Sequence, residues 1–316
     1  MSAKTVRLFA MSALLIAGTA SAETIPSTES VTVMGSREAY HTFSRNFATP
    51  TQISGKMARW ERHLCPVVVG QNEHYAAFIT QHIKYVALAA GAPVGVEPSC
   101  KPNIEIVFTT TPQALLNTVR QDDPAYLGYF TSLDQADDLA RITRPVQAWY
   151  ATETTDVKGK TYLDSGHALI NGHNIPNMSG TVGLGGDILP GETGPMLNLP
   201  SFQAVLGSRL NDGIHTGFQH VLIVVDSSKL AGQDVIPLAD YIAMLALTQV
   251  NSLDTCQELP SIVNRMAANC GRTADSLTQF DLAYLQGLYH MSTNRKAALQ
   301  RSEIGALMTD RLENPR

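Results

Sequence analysis

The chain has 316 residues, a formal net charge of −5 and a 44% share of hydrophobic residues. That length suffices for one large domain or two small ones, and that apolar share supports a real core. The mildly acidic balance excludes a nucleic-acid-binding class, which needs a basic face.

Residues 1–22 read as a secretory signal rather than as fold. Lys4 and Arg7 form the basic region, Leu8 to Gly18 is an apolar core too short to span a membrane, and Ala20-Ser21-Ala22 is a small-x-small cleavage site. A mature chain starting at Glu23 keeps 21 Lys and Arg against 28 Asp and Glu, a net charge of −7. No lipobox Cys follows, and no other apolar run is long enough for a span, so a periplasmic or secreted protein is expected. Residues 23–55 are polar, rich in Ser and Thr, and predict an extended N-terminal arm. Within it, Glu29 to Arg37 resembles the Ton box of TonB-dependent outer-membrane receptors. That resemblance implies a partner contact by strand addition through Val31, Thr32 and Val33; the plainer reading is a short edge strand or an unpaired tail.

Residues 56–316 read as one α+β domain. Pro66 to Val69 predicts a short buried strand, and Asn72 caps a helix whose apolar positions run from Tyr75 to Ala90, with Gly91 as its stop. Ile104, Ile106 and Phe108 alternate along a second strand, and Thr111-Pro112 starts another helix with Pro in its first turn. Four cysteines on an exported chain read as two disulfides with three connectivities. Cys65–Cys100 and Cys256–Cys270 are preferred because each staples one half of the chain. The second closes a loop of about 15 residues, worth roughly 3 kcal/mol in the chain-entropy model. The absence of a C-x-x-C spacing gives redox catalysis and a zinc ribbon no support.

A loop-rich, glycine-rich insertion is expected at about 156–200. Asp164-Ser165-Gly166 has the letters of an aspartic-peptidase triplet, but in a single copy without the flanking apolar pattern. Asp164 with His167 and His173 follows no ligand spacing, so solvated loop histidines are the expectation, with no metal and no cofactor. A long loop in a secreted domain is nonetheless a natural binding surface.

The C-terminal part opens on a strand, Phe218 to Val225, followed by a helix from Pro237 to Val250 that is apolar nearly all round and therefore buried. Ser261-Ile262-Val263-Asn264 comes next. Thr278-x-x-Asp281 predicts a capping box, and a last helix runs from Thr293 to about Leu312.

This order of strand, helix, turn and capped helix resembles the catalytic half of a zincin metallopeptidase. A zincin helix carries His-Glu-x-x-His, because imidazoles at i and i+4 share one face and grip one zinc, with the Glu as general base. Here the first ligand position falls on Asp240, the base on Tyr241 and the second ligand on Met244. The metzincin Met-turn is matched by Ser261, Ile262 and Asn264, with Val263 in place of the Met. Leu277, Thr278, Asp281, Leu288 and Tyr289 are similar to the closing motif of matrixins. The chain also resembles a family of uncharacterised secreted proteins of Gram-negative bacteria with the same degenerate helix. That likeness extends through Ala58 to Trp60, Cys65 to Gly70, Cys100 to Asn103 and Arg144 to Tyr150.

The resemblance implies a zincin-like α+β fold, a mixed sheet packed on helices with a buried degenerate active-site helix and a helical C-terminal part. It also implies an exported, non-catalytic protein with a binding or structural role in the cell envelope. No His is followed by Glu and no two His stand at i, i+4. A thioether suits catalytic zinc poorly, and a tyrosine hydroxyl with a pKa near 10 cannot replace a carboxylate base. Two other readings stay open. One is a hydrolase with a non-standard site drawn from Asp240, His167, His173, His215 and His220. The other is a TonB-linked accessory protein of the envelope.

Overall fold

The structure, a computed structural model, describes residues 28–95, 100–164, 203–204, 211–230 and 232–314. The signal-like start, His167, His173 and most of the 156–200 insertion lie outside the described residues. The protein is a mixed α+β fold. Among the described residues, seven α-helices surround a five-stranded sheet.

In chain order, α1 (Thr28–Phe47) leads into β1 (Pro66–Val69), α2 (Glu73–Ala90) and β2 (Ile104–Thr109). Next come α3 (Pro112–Asp122), a 3-10 turn at Pro124–Leu127, α4 (Leu133–Leu139), β3 (Val146–Thr155) and β4 (Thr161–Asp164). Then β5 (His215–Asp226) precedes α5 (Val235–Leu247), a 3-10 turn at Ile262–Met266, α6 (Gln279–His290) and α7 (Ala297–Glu313). The spatial order is β1-β2-β5-β3-β4. β1, β2 and β5 run parallel, β3 runs antiparallel to β5, and β4 antiparallel to β3.

Local chemistry explains the boundaries. Asn72 caps α2 by accepting the Tyr75 amide at 2.9 Å. Gly91 ends it at φ 84°, where a Cβ would lie 2.8 Å from the His290 ring, so only glycine fits there. α6 starts on a full capping box, with Thr278 and Asp281 bonding each other's backbone. Both expected disulfides are formed, Cys65–Cys100 and Cys256–Cys270.

The main core lies between one face of the sheet and the helices α2, α5 and α6. α5 is its centre, because every residue from Pro237 to Leu247 is buried. A smaller core on the opposite face packs Leu116 and Leu127 against Trp149, Leu222 and Val224. No helix among the described residues is long and apolar enough to cross a membrane.

The N-terminal segment corrects the sequence reading. Instead of an extended arm, residues 28–47 form α1, and Val31, Thr32 and Val33 lie within this helix. A helix satisfies its own backbone groups and offers no strand for addition to a partner sheet. The polar composition hid an i, i+4 pair, Phe43 and Phe47, both buried. Their rings stack at 4.9 Å, and Phe47 meets Tyr284 of α6 edge-on at 4.7 Å. α1 is therefore part of the domain. Phe47→Ala should cost about 3–5 kcal/mol, measured as a lowered urea midpoint; a change under about 1 kcal/mol would return this segment to the status of an arm.

Candidate functional site

The positions picked out on α5 are sealed. Asp240 is 3% exposed, and Tyr241 and Met244 are 0% exposed. Asp240 does not cap the start of its own helix. The helix N-cap is Asp234, which makes no side-chain cap bond. Asp240 instead bonds His82 of α2, with Oδ1 2.5 Å from Nε2, and its Oδ2 accepts the Leu277 amide at 2.8 Å. His82 is held from both sides, stacked at 5.8 Å on Phe78 and tilted at 6.3 Å from Tyr85. A carboxylate in an apolar helix needs partners of this kind, and two elements distant in sequence supply them.

Tyr241 is buried with its hydroxyl unbonded, and burial pushes its pKa up, opposed by the nearby Arg144 guanidinium. A phenol held protonated in this way does not act as a base. Met244 packs in the main core with Ile242, Leu245 and the apolar side chains of β5.

The turn motif is structural as well. Ser261 caps the turn Ile262–Met266, accepting the Val263 amide at 3.2 Å and donating to Asp281 Oδ1 at 2.5 Å. Asp281 Oδ2 also accepts the Ile262 and Thr278 amides, each at 2.9 Å. Burial pushes the Asp281 carboxyl up against the pull of those donors. Asn264 organises the loop closed by Cys256–Cys270. It accepts the Gln257 amide at 2.7 Å and donates to the Leu259 and Arg272 carbonyls at 3.2 and 3.0 Å. Val263 fills the main core.

Of the residues of the alternative hydrolase reading, His167 and His173 lie outside the described residues, and the other three have separate partners. Asp240 meets His82, His215 bonds Glu61 at 2.7 Å, and His220 stands 3.5 Å from Glu105. Among the described residues, no group of three His, Cys, Asp or Glu could hold a metal ion.

An open surface lies at the edge of β3. A groove of about 560 Å³ runs beside it, bounded on one side by Tyr129 and Leu139 and on the other by Leu245 and residues 249–254. The Asp226 amide donates to the Pro145 carbonyl at 2.8 Å, and Gln147 and Trp149 lie opposite Val224 and Leu222. The antiparallel alternation therefore turns the backbone groups of Val146, Ala148 and Tyr150 away from β5. β4 covers only Thr152 to Thr155. Gly128, at φ 85°, covers Tyr150; a Cβ there would lie 2.4 Å from the Tyr150 carbonyl oxygen. Among the described residues, no hydrogen bond reaches the outward amides and carbonyls of Val146 and Ala148. Arg144 and Asp254 pair across one end of the groove.

Where β4 meets β3, Asp164 is buried and accepts the Thr152 and Thr154 hydroxyls at 3.0 and 2.8 Å. The hydroxyl chain continues from Thr154 through Thr216 to Ser54. Burial pushes the Asp164 carboxyl up to about 6, against those two donors.

Compared with family models, curated proteins and solved structures, the chain matches none of them.

Sequence reasoning missed His82, which reads as one polar residue on the apolar face of α2. The only available hint was the isolated Asp240 in the apolar helix, which demanded a partner. It also missed the open edge of β3, although Arg144 to Tyr150 had been singled out as a motif.

Two outcomes follow from this geometry. Met244→Ala should lower stability by about 2–5 kcal/mol. Asp240→Asn should cost no more than about 1 kcal/mol, because an amide can still accept the Leu277 amide and keep a hydrogen bond to the His82 ring. Thermal midpoints of the two variants decide between core and site. The raised pKa of Asp164 favours folding fully below the ordinary carboxylate pKa, and this contribution is lost as pH rises through about 6. Relative to Asp164→Asn, the wild type should thus lose roughly 2 kcal/mol between about pH 4 and pH 8, measured by urea unfolding; a constant difference would contradict the raised pKa.

Proposed function

We propose that this is an exported, non-catalytic protein of the cell envelope, built on a zincin-like scaffold, that binds an extended polypeptide along the edge of β3. The observation that carries the reading is the outward backbone groups of Val146 and Ala148, without partners among the described residues, with Ala148 in the lining of the groove. A strand laid there satisfies them by main-chain hydrogen bonds, while the groove walls select side chains. The signal-like start and the two disulfides support export to the periplasm or beyond.

The non-catalytic part of the reading is supported by the fate of the zincin positions. Asp240 is engaged by His82 and Leu277, and Tyr241 and Met244 are core. The TonB-linked alternative loses its motive, because its proposed strand is helical.

Ala148→Pro tests the binding mode. Its amide points away from β5, so proline removes an outward donor without breaking the β5 ladder. Heptapeptides selected from a random phage library on the full mature chain serve as probes. The variant should keep its thermal midpoint and bind the selected peptides at least about tenfold more weakly. Equal affinity in the variant would exclude strand addition at this edge. Elemental analysis of chelator-free protein checks the non-catalytic part: about one tightly held zinc per chain would overturn it.

A further inference from the structure

A second cavity, of about 380 Å³, opens beside the turn Pro124–Leu127 and shares only Thr152 with the β3 groove. Its size is that of a small-molecule site. Three features of its lining are unusual together.

The first is His220. It is 6% exposed; its Nε2 stands 3.5 Å from Glu105, and its Nδ1 has no hydrogen-bond partner among the described residues. The Tyr126 ring stands perpendicular to the imidazole, with centroids 4.3 Å apart. A buried polar group without a partner is costly, and such groups mark places that something else completes. The second is a charge pair that does not close on itself. Lys101 and Asp123 both line the cavity, and among the described residues neither forms an ion pair. Arg62, also in the lining, is already paired with Glu153 at 2.7 Å. The third is an apolar wall formed by Tyr126, Ala151 and Leu163.

Burial keeps the pKa of His220 below its ordinary value, against the pull of Glu105 and Asp123, so the ring is neutral at pH 7. A neutral imidazole has one donor and one acceptor nitrogen. With the N–H turned to Glu105, the other nitrogen accepts.

We propose that this cavity binds a free zwitterionic amino acid with an apolar side chain. The ammonium group meets Asp123, beside the buried His220 ring. The carboxylate meets Lys101, and the side chain lies on Tyr126, Ala151 and Leu163. A zwitterion fits where a simple anion or cation does not, because each leaves one of the two lining charges unanswered. This site stands apart from the β3 edge, so its test and that of peptide binding succeed or fail separately.

The test titrates the full, disulfide-intact mature chain with L-leucine, with 4-methylpentanoate, which lacks the ammonium group, and with 3-methylbutylamine, which lacks the carboxylate. Isothermal calorimetry gives affinities, and the ring nitrogen signals of His220 report the site. L-leucine should saturate and shift those signals, with each half-molecule at least about tenfold weaker. Lys101→Ala, an exposed position that leaves the fold intact, should weaken leucine at least about fivefold while leaving 3-methylbutylamine unchanged. His220→Gln should weaken leucine as well. The proposal is overturned if either half-molecule binds as tightly as leucine. It is equally overturned if leucine fails to saturate by about 10 mM, or if Lys101→Ala leaves its affinity unchanged.

Discussion

The C-terminal end of α5 is buried, and its last carbonyls have no water to bond. Three aromatic side chains from three parts of the chain supply the donors. Tyr150 of β3 donates to the Leu245 carbonyl at 3.0 Å, Trp60 Nε1 to the Ala246 carbonyl at 2.8 Å, and Tyr289 of α6 to the Leu247 carbonyl at 2.9 Å. Each lost donor would leave a buried carbonyl unpaired at about 1–3 kcal/mol. This requirement fixes where β3, α6 and the segment before β1 must sit. The same segment also closes the C-terminal end of α6. Arg59 donates to the Leu288, Tyr289 and Met291 carbonyls at 2.7–3.1 Å. The buried Lys56 ammonium bonds Asp212 at 2.6 Å and the Arg295 carbonyl at 2.7 Å. A short stretch of sequence, Lys56 to Trp60, thus plugs the C-terminal ends of two helices.

That arrangement bears on function through exclusion. A helix satisfied at its end, surrounded by apolar side chains, and anchored at Asp240 by His82 has no face left for a substrate. Among the described residues, open features include backbone at the sheet edge and the cavity beside His220 at the turn Pro124–Leu127. In the zincin-like reading proposed above, recognition persists at the sheet while the helix that would have carried chemistry has become packing. Burial of Tyr241 and Met244 carries that view, because packing and catalysis make opposite demands on those positions.

Much of the fold was legible because it rests on local signals. Asn72, Gly91, Pro112 and the Thr278–Asp281 box mark helix ends by hydrogen-bond chemistry that depends on few residues. The strand Phe218 to Val225 and the apolar helix after it announce burial through composition alone. The helix α1 was not legible, since its polar composition outweighs two aromatic residues whose partner, Tyr284, lies far along the chain. The Asp240–His82 pair and the unpaired edge of β3 were hidden for the same reason. Both arise from contacts between elements, and periodicity along one element carries no information about them. The residues singled out at Asp240, Tyr241 and Met244 were correctly placed on a buried helix, but the sequence could not say which neighbour would satisfy the carboxylate.

The central claim is that α5 is a sealed core element. Native-state hydrogen exchange across the amides of Tyr241 to Leu247, followed with increasing denaturant, tests it most directly. A core helix exchanges only by global unfolding, so these amides should share the full unfolding free energy and its denaturant dependence. Exchange of Tyr241 to Met244 through a local opening, at a free energy well below the global value, would contradict the account and make this helix an accessible surface.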